Sequence, residues 1–441
     1  MSALATVAKR RGVRVTGCDT DPSGAADLAA LGVEVWQGHD PRHLDGVRAV
    51  VVTAAVGQDH PELKRARELG IPVVRRADAL GQAVAGGTVV AVAGTHGKTT
   101  TTVMVTEALT AAGRNPTGLV GGRVAGWGGN ARVGSPDLSV VEADEFDRAF
   151  LSLAPTVAVV TNVEADHLEC YGSIAALEGA FAQFAGGARR VIAGGDDAGA
   201  QRVVARLGAK VWRVGVGADA DVKIGAIAFA ATGSRATVTL PGGRTVPLAL
   251  RVPGMHNLRN AAAALAVVHE LSADVDVAAR ALSEFTGVAR RFERVGEAAG
   301  VTVMDDYAHH PTEVGATLAA ARQAFPGRRL VAVFQPHLYS RTAMHGDALG
   351  KALAAADLVV VAPIYGAREQ PLPGVTSDLV ARGAIGAGAA TVAVRERTAL
   401  AAAVAERLRA GDVVFTLGAG DVTRIGPELM TRLASASGKT R

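Results

Sequence analysis

The chain has 441 residues, of which 49% are hydrophobic but only 4% aromatic, and 46 basic against 42 acidic residues leave a net charge of +4. This length exceeds what one hydrophobic core usually organises, so two or three domains are expected, with cores of Ala, Val and Leu that suit buried parallel strands covered by helices. The charges form no basic run and no aromatics interleave them, which excludes a nucleic-acid footprint, while Cys18 and Cys170 are too few for a disulfide framework and favour a reducing cytoplasm.

From Met1 the spacing of Leu4, Val7 and Ala8 predicts a helix closed by Gly12, followed by a strand over 13–17 with Asp19 just past its end. Lys9, Arg10 and Arg11 follow the apolar residues instead of preceding them, so the start does not read as a secretory signal. A strand over 49–53, a helix over 61–69 and a strand over 71–74 continue the alternation. This is the pattern of a doubly wound, Rossmann-like nucleotide-binding domain entered at its first helix, without the opening strand and glycine-rich turn. Since that strand lies inside the usual sheet, its absence leaves two unpaired ladders, and a truncated or misassigned start is expected.

Residues 88–102 read T-V-V-A-V-A-G-T-H-G-K-T-T-T-T. A β-branched run ending in Gly94, Gly97, Lys98 and Thr99 and passing into a helix predicts a phosphate-binding loop. Glycines let backbone N–H groups turn toward phosphate oxygens, Lys98 adds a point charge, the Thr99 hydroxyl can ligate Mg²⁺, and the helix presents its positive end. The usual glycine six residues before the lysine is Val92 here, so the loop is a variant one. The uncharged stretch 79–97 around it is interrupted by five glycines and does not read as a membrane span.

Strands are next expected over 138–141 and 157–161, and each runs at once into acidic residues: Glu142, Asp144 and Glu145 after the first, Glu164 and Asp166 with His167 after the second. Carboxylates beyond the carboxyl ends of parallel strands suit a metal beside a phosphate loop, although any one of them could equally cap a helix. A hairpin is predicted with arms 236–240 and 245–250 around Pro241, Gly242, Gly243 and Arg244. Arg290 and Arg291 mark the passage to a last block, where strands over 301–304, 330–334, 358–361, 391–394 and 413–417 alternate with Ala-rich helical stretches and predict a second parallel sheet. Residues 435–441 read as a loose tail. The expected domains are 1–86, 87–288 and 289–441.

Six ordered motifs carry a resemblance that covers essentially the whole chain. G-T-H-G-K-T-T at 94–100, E-A-D-E at 142–145, N-V-E-A-D-H at 162–167, G-M-H-N-L-R-N at 254–260, and D-D-Y-A-H-H-P-T-E at 305–313 with F-Q-P-H-L-Y-S-R-T at 334–342 together resemble the Mur ligases. The third block looks most like the members that add L-alanine to UDP-N-acetylmuramate in peptidoglycan synthesis. The resemblance implies three α/β domains: a Rossmann-like UDP domain, a central phosphate-loop ATPase domain and a C-terminal Rossmann-like domain. It also implies ATP-driven amide formation, in which the lactyl carboxylate of UDP-N-acetylmuramate attacks the γ-phosphate and the amine of L-alanine attacks the resulting acyl phosphate. Phosphoryl transfer between anions needs charge neutralisation more than covalent help, which agrees with Lys98 and metal ions.

By the same resemblance, Gly94, Thr95, His96, Gly97, Lys98, Thr99 and Thr100 would cradle ATP, and Thr99, Glu142 and His167 would hold Mg²⁺. His256, Asn257 and Asn260 fall where the family contacts the nucleotide, though an Asn at a helix start is otherwise an N-cap. Arg291 and Asp306 would reach ATP from the third domain. His309, His310, His337 and Arg341 are candidates for the amino acid and the muramyl carboxylate, because carboxylates are matched by a guanidinium and neutral-pH donors. The loop 365–374 falls where the family has a loop near the alanine site. Of the family's G-x-G-G-x-G-M-S only Met1 and Ser2 remain, so Asp19 and Thr53 are left as uridine-side contacts and weak UDP-sugar binding is expected. The rival readings are a ligase that recycles murein tripeptide onto the same sugar and an idle nucleotide-binding partner protein.

Overall fold

Helix-closing turns set the start of the chain. In the computed structural model, which describes all residues except Thr232, Arg368, Arg395 and 438–441, the helix Ser2–Arg10 buries Val7 and ends at Gly12, whose φ is +84°. The Val13 N–H reaches back to the Ala8 carbonyl at 2.9 Å, so Val13 finishes the helix and cannot begin a strand. The first strand is therefore β1 (Thr16–Asp19), later than expected, and Asp19 is its last residue instead of the one beyond it. It pairs in parallel with β2 (Glu34–Gln37). The same device recurs after the helix Pro61–Glu68: Gly70 has φ +66°, and the Ile71 N–H bonds to the Ala66 carbonyl at 2.9 Å. In consequence β3 (Val50–Val52) pairs in parallel with β4 (Val73–Arg75), which starts two residues after the expected position. The β1–β2 and β3–β4 pairs are two separate two-stranded sheets.

The chain divides into two compact units, one of residues 1–226, 236–249 and 259–284 and the other of residues 227–235, 250–258 and 285–441. Beyond β4 run β5 (Thr88–Ala93), β6 (Pro116–Val124), β7 (Gly129–Arg132), β8 (Ser135–Glu142), β9 (Val157–Val160), β10 (Arg190–Gly194), β11 (Val211–Gly215), β12 (Val222–Ala230), β13 (Gly233–Thr239) and β14 (Thr245–Leu250). They form one ten-stranded sheet of order β14-β13-β12-β11-β10-β9-β5-β8-β6-β7. It is parallel from β12 to β6, and β7 runs antiparallel at the far edge. Residues 89–93 and 157–160 are buried throughout, as β-branched runs covered on both faces must be. The expected hairpin is β13–β14, with Thr239 and Thr245 hydroxyls 3.0 Å apart. Strands β6, β7, β10, β11 and β12 were not foreseen; β6 in particular is broken by Gly118, Gly121 and Gly122 and carries little β signal.

The second unit carries β15 (Glu293–Ala298), β16 (Val301–Asp306), β17 (Leu330–Phe334), β18 (Leu358–Val361), β19 (Thr391–Ala393) and β20 (Val413–Leu417) in a six-stranded sheet of order β15-β16-β20-β17-β18-β19. All pairs are parallel except β15–β16. The five expected strands are present; β15, half-exposed and rich in charge, is an addition at the edge. The helix Ile425–Ser437 takes in the first residues of the expected loose tail, whose remainder lies outside the described residues.

Candidate active site

The phosphate loop joins β5 to the helix Lys98–Ala111. Gly94 has φ +139° and Gly97 φ +80°, conformations that disfavour any side chain. A Cβ at Gly94 would run into the Thr161 hydroxyl, and one at Gly97 would lie 2.9 Å from Asn260 Oδ1. The loop is held from the end of the neighbouring strand β9. The Thr95 N–H donates to the Asn162 carbonyl (3.0 Å), the His96 N–H to Asn162 Oδ1 (2.8 Å), and Asn162 Nδ2 (3.1 Å) and the Thr161 hydroxyl (2.6 Å) both donate to the His96 carbonyl. Thr161 and Asn162 were not singled out from the sequence, where 162–167 read only as an acidic cluster; the available signal was a pair of short polar side chains at the strand end next to the loop. The helix that follows is buried despite its threonines, because the hydroxyls of Thr102, Thr106 and Thr110 donate to carbonyls four residues back at 2.8, 2.8 and 2.7 Å.

Lys98 Nζ is held by the Gly94 carbonyl at 2.7 Å, the Thr95 carbonyl at 3.3 Å and Glu145 Oε1 at 2.8 Å. Burial opposes its charge, but Glu145 and Asp144 outweigh that and keep the ammonium above the ordinary lysine range. The cation is thus fixed at the mouth of the loop before any anion arrives. Glu142 lies opposite Val92 in the β5–β8 register, two residues before Gly94, and its Oε2 accepts the Gly121 N–H at 2.7 Å. Thr99 is buried in the first helical turn. His167 sits at the start of a short helix with φ +54° and meets the Phe146 ring edge-on at 5.2 Å, which brings the second acidic segment against the first. Hydroxyl and carboxylate oxygens beside an anion cradle suit Mg²⁺, whereas the contacts of His167 are with Phe146, Asp166 and Glu169.

The other candidates fall into groups. In the first unit Asn260 packs on Gly97, while Asp19 closes a local turn through the Asp21 N–H (3.0 Å) and Thr53 one through the Val56 N–H (3.2 Å). Asp19 ends β1 and Thr53 directly follows β3, strands of two different sheets, and the two share no bond among the described residues. In the second unit Asn257 Nδ2 donates to the Pro253 carbonyl at 2.7 Å and His256 folds over Gly254. There Asp306, at the end of β16, accepts the Phe292 and Ala308 N–H groups at 2.8 Å each. Burial pushes its carboxyl up to about 6, against the pull of Arg291 and those two bonds. Arg291 spans Tyr307, with its guanidinium 5.1 Å from the ring centre, to Glu313 Oε1 at 3.5 Å.

Glu313, also absent from the expected set, organises the histidines: its Oε2 accepts the His309 N–H (3.0 Å) and the His310 N–H (3.3 Å) and lies 3.2 Å from His309 Nδ1. Its signal was the acid three residues into a helix that Pro311 opens, a capping box with His310 as the cap. His309 faces His337 at 6.2 Å between ring centres, and His337 Nδ1 lies 3.4 Å from the buried Arg341. His337 stacks on Tyr365, and Glu369 takes the Ser340 N–H at 2.9 Å, so the loop 365–374 is tied to this cluster. A guanidinium with several imidazoles at the ends of parallel strands can bind a carboxylate.

Three family descriptions match in chain order: Mur ligase family, catalytic domain, over 1–88; Mur ligase middle domain over 92–268; and Mur ligase, glutamate ligase domain, over 290–420. The chain is 46% identical over 444 residues to a UDP-N-acetylmuramate–L-alanine ligase of Streptomyces coelicolor, covering 98% of this chain and 95% of that one. Among solved structures, the UDP-N-acetylmuramate–alanine ligase of Thermotoga maritima superposes with a TM-score of 0.82 at 29% identity, over 99% of this chain and 97% of that one. A murein peptide ligase from Psychrobacter arcticus gives 0.73 at 25% identity, over 98% and 96%.

Proposed function

Because the chain belongs to the Mur ligase family, with its α/β three-domain fold, we propose that the residues just described carry out that family's ligation. The chain is a UDP-N-acetylmuramate–L-alanine ligase of peptidoglycan synthesis, driven by ATP. The observation that supports this assignment of residues best is the preformed loop, in which a buried, charged Lys98 already waits at the end of β5.

Lys98 and the loop N–H groups neutralise the phosphates as the lactyl carboxylate attacks the γ-phosphorus and the bond to the β-phosphate oxygen breaks, releasing ADP. The L-alanine amine then attacks the acyl carbon, phosphate leaves, and the ammonium proton is lost to solvent or a nearby base. Thr99, Glu142 and His167 would hold Mg²⁺, which would supply further charge neutralisation at the transferred group. Asn260, with His256 and Asn257, would contact the nucleotide, as would Arg291 and Asp306. Arg341, His309, His310 and His337 are assigned to the substrate carboxylates. Domain limits of 1–86, 87–288 and 289–441, and a cytoplasmic location, complete the reading; no helix among the described residues is long and apolar enough to cross a membrane.

On the UDP side the reading gives Asp19 and Thr53 to the uridine half. The β1–β2 and β3–β4 pairs, in which Asp19 ends β1 and Thr53 follows β3, share no ladder. The test is ADP release and product mass with UDP-N-acetylmuramate, Mg²⁺, ATP and either L-alanine or murein tripeptide. Turnover with alanine alone is expected; preference for the tripeptide would favour the recycling reaction. Calorimetric titration of the sugar nucleotide into the chain and into its Asp19→Ala variant tests the uridine assignment: unchanged affinity would remove Asp19 from it.

A further inference from the structure

A second cluster of donor groups lies in the first 70 residues, outside the phosphate loop; Cys18 directly precedes Asp19 in β1, and none of the cluster's own residues is among those assigned to the ligation. Cys18 is the third residue of β1, His39 follows β2, and Glu62 is in the first turn of the helix Pro61–Glu68. Cys18 Sγ is 3.3 Å from His39 Nδ1 and 3.2 Å from Glu62 Oε2, and the three ligand atoms all lie within 4.8 Å of one another. For sulfur at 2.3 Å and nitrogen or oxygen near 2.0 Å from a tetrahedral cation, neighbouring donors should be roughly 3.5 Å apart. The contacts seen are close to that edge length.

Two further observations point to a missing occupant. His60 packs edge-on against His39, with ring centres 4.4 Å apart, and both of its ring nitrogens are buried without a hydrogen-bond partner. A buried imidazole left in that state calls for an ion or water. His43 Nδ1 lies 2.8 Å from Glu62 Oε1, and the Asp40 N–H donates to the same oxygen at 3.2 Å, orienting the carboxylate from behind as an outer shell does for a metal ligand.

We propose that Cys18, His39 and Glu62 form a binding site for a borderline-soft divalent cation of the zinc class, with His60 or water in the fourth position. A thiolate–imidazole–carboxylate set selects such ions over Mg²⁺, which prefers oxygen. The competing chemistry, a cysteine nucleophile with His39 as base, is disfavoured: burial, and then the bond to Glu62, push the thiol up to about 12, and Glu62 contacts the sulfur instead of orienting the imidazole. A cation would displace that thiol proton. It would also tie β1–β2 to the helix preceding β4, joining two strand pairs that have no ladder between them.

The test uses the full chain, stripped with a chelator and titrated with Co²⁺ alone, then with Zn²⁺ in competition. One equivalent of Co²⁺ should give a thiolate charge-transfer band that Zn²⁺ abolishes. Cys18→Ser should lose the band, His39→Ala should weaken Co²⁺ binding at least about tenfold, and Cys170→Ser should change neither. Zn²⁺ should raise the melting temperature of the unaltered chain and of Cys170→Ser, but not of Cys18→Ser. Far-UV circular dichroism of each variant separates loss of the site from loss of the fold, and Glu62→Gln serves as a second ligand variant should His39→Ala misfold. No charge-transfer band in the unaltered chain, or a band that survives Cys18→Ser and vanishes with Cys170→Ser, would overturn the proposal.

Discussion

Replacing Glu145 by Gln keeps the side chain's shape and one acceptor but removes the counter-charge of a buried ammonium. Lys98 would retain the Gly94 and Thr95 carbonyls at 2.7 and 3.3 Å, neither of which carries a charge. Breaking a buried ion pair from one side destabilises by about 3–5 kcal/mol. The retained amide acceptor returns about 1 kcal/mol, so Glu145→Gln should weaken the first unit by about 2–4 kcal/mol. Lys98→Met should be milder, because burial then pushes the abandoned Glu145 carboxyl up and it can take a proton. Tryptophan fluorescence in urea is a suitable assay: Trp36, Trp127 and Trp212, all the tryptophans of the chain, lie in the first unit, so the signal reports that unit without assuming two-state unfolding of the whole. The double variant should be more stable than additivity predicts by at least about 1 kcal/mol. Additivity within about 0.5 kcal/mol would refute a functioning Lys98–Glu145 pair.

Lys98→Ala should lower ADP release in the complete reaction by about 10²–10³-fold or more, since it removes the ammonium that the Gly94 carbonyl and Glu145 fix in the phosphate loop; near-normal turnover would remove the loop from the mechanism. Glu142→Gln should shift the Mg²⁺ dependence to higher concentration with an unchanged circular dichroism spectrum, and an unmoved Mg²⁺ titration would show that Glu142 is not a ligand. Gly94→Ala should reduce turnover by about 10²-fold or more, because the added Cβ meets the Thr161 hydroxyl at a φ of +139° and the loop must shift. Asp306 has a carboxyl raised to about 6 in the folded chain. Its contribution to stability is therefore full below the unfolded value near 4 and is lost as pH rises through 6. Relative to the unaltered chain, Asp306→Asn should gain up to about 3 kcal/mol between pH 4 and pH 7 in chemical unfolding, and a pH-independent difference would contradict the raised value.

Much of this protein is legible in one dimension because the relevant physics is local. Residues 88–100 combine a β-branched run, glycines, a lysine and a helix start, and each acts through its own backbone or charge, so the loop can be recognised before any fold is known. The buried strands β5, β8, β9, β16, β17, β18 and β20 were likewise visible, because a strand covered on both faces must be apolar throughout. The starts of β1 and β4 were misplaced because Val13 and Ile71, good strand formers, are taken by helix-closing bonds to residues five positions earlier. What tertiary structure alone decided are the pairings between distant segments: Asn162 clasping His96, Glu145 neutralising Lys98, and Cys18 meeting His39 and Glu62. A polar side chain at a strand end has the same local signature whether it caps a turn or holds a loop. Its role is set by which strands the sheet order makes neighbours, and the order β9-β5-β8 puts both partners of the phosphate loop beside it.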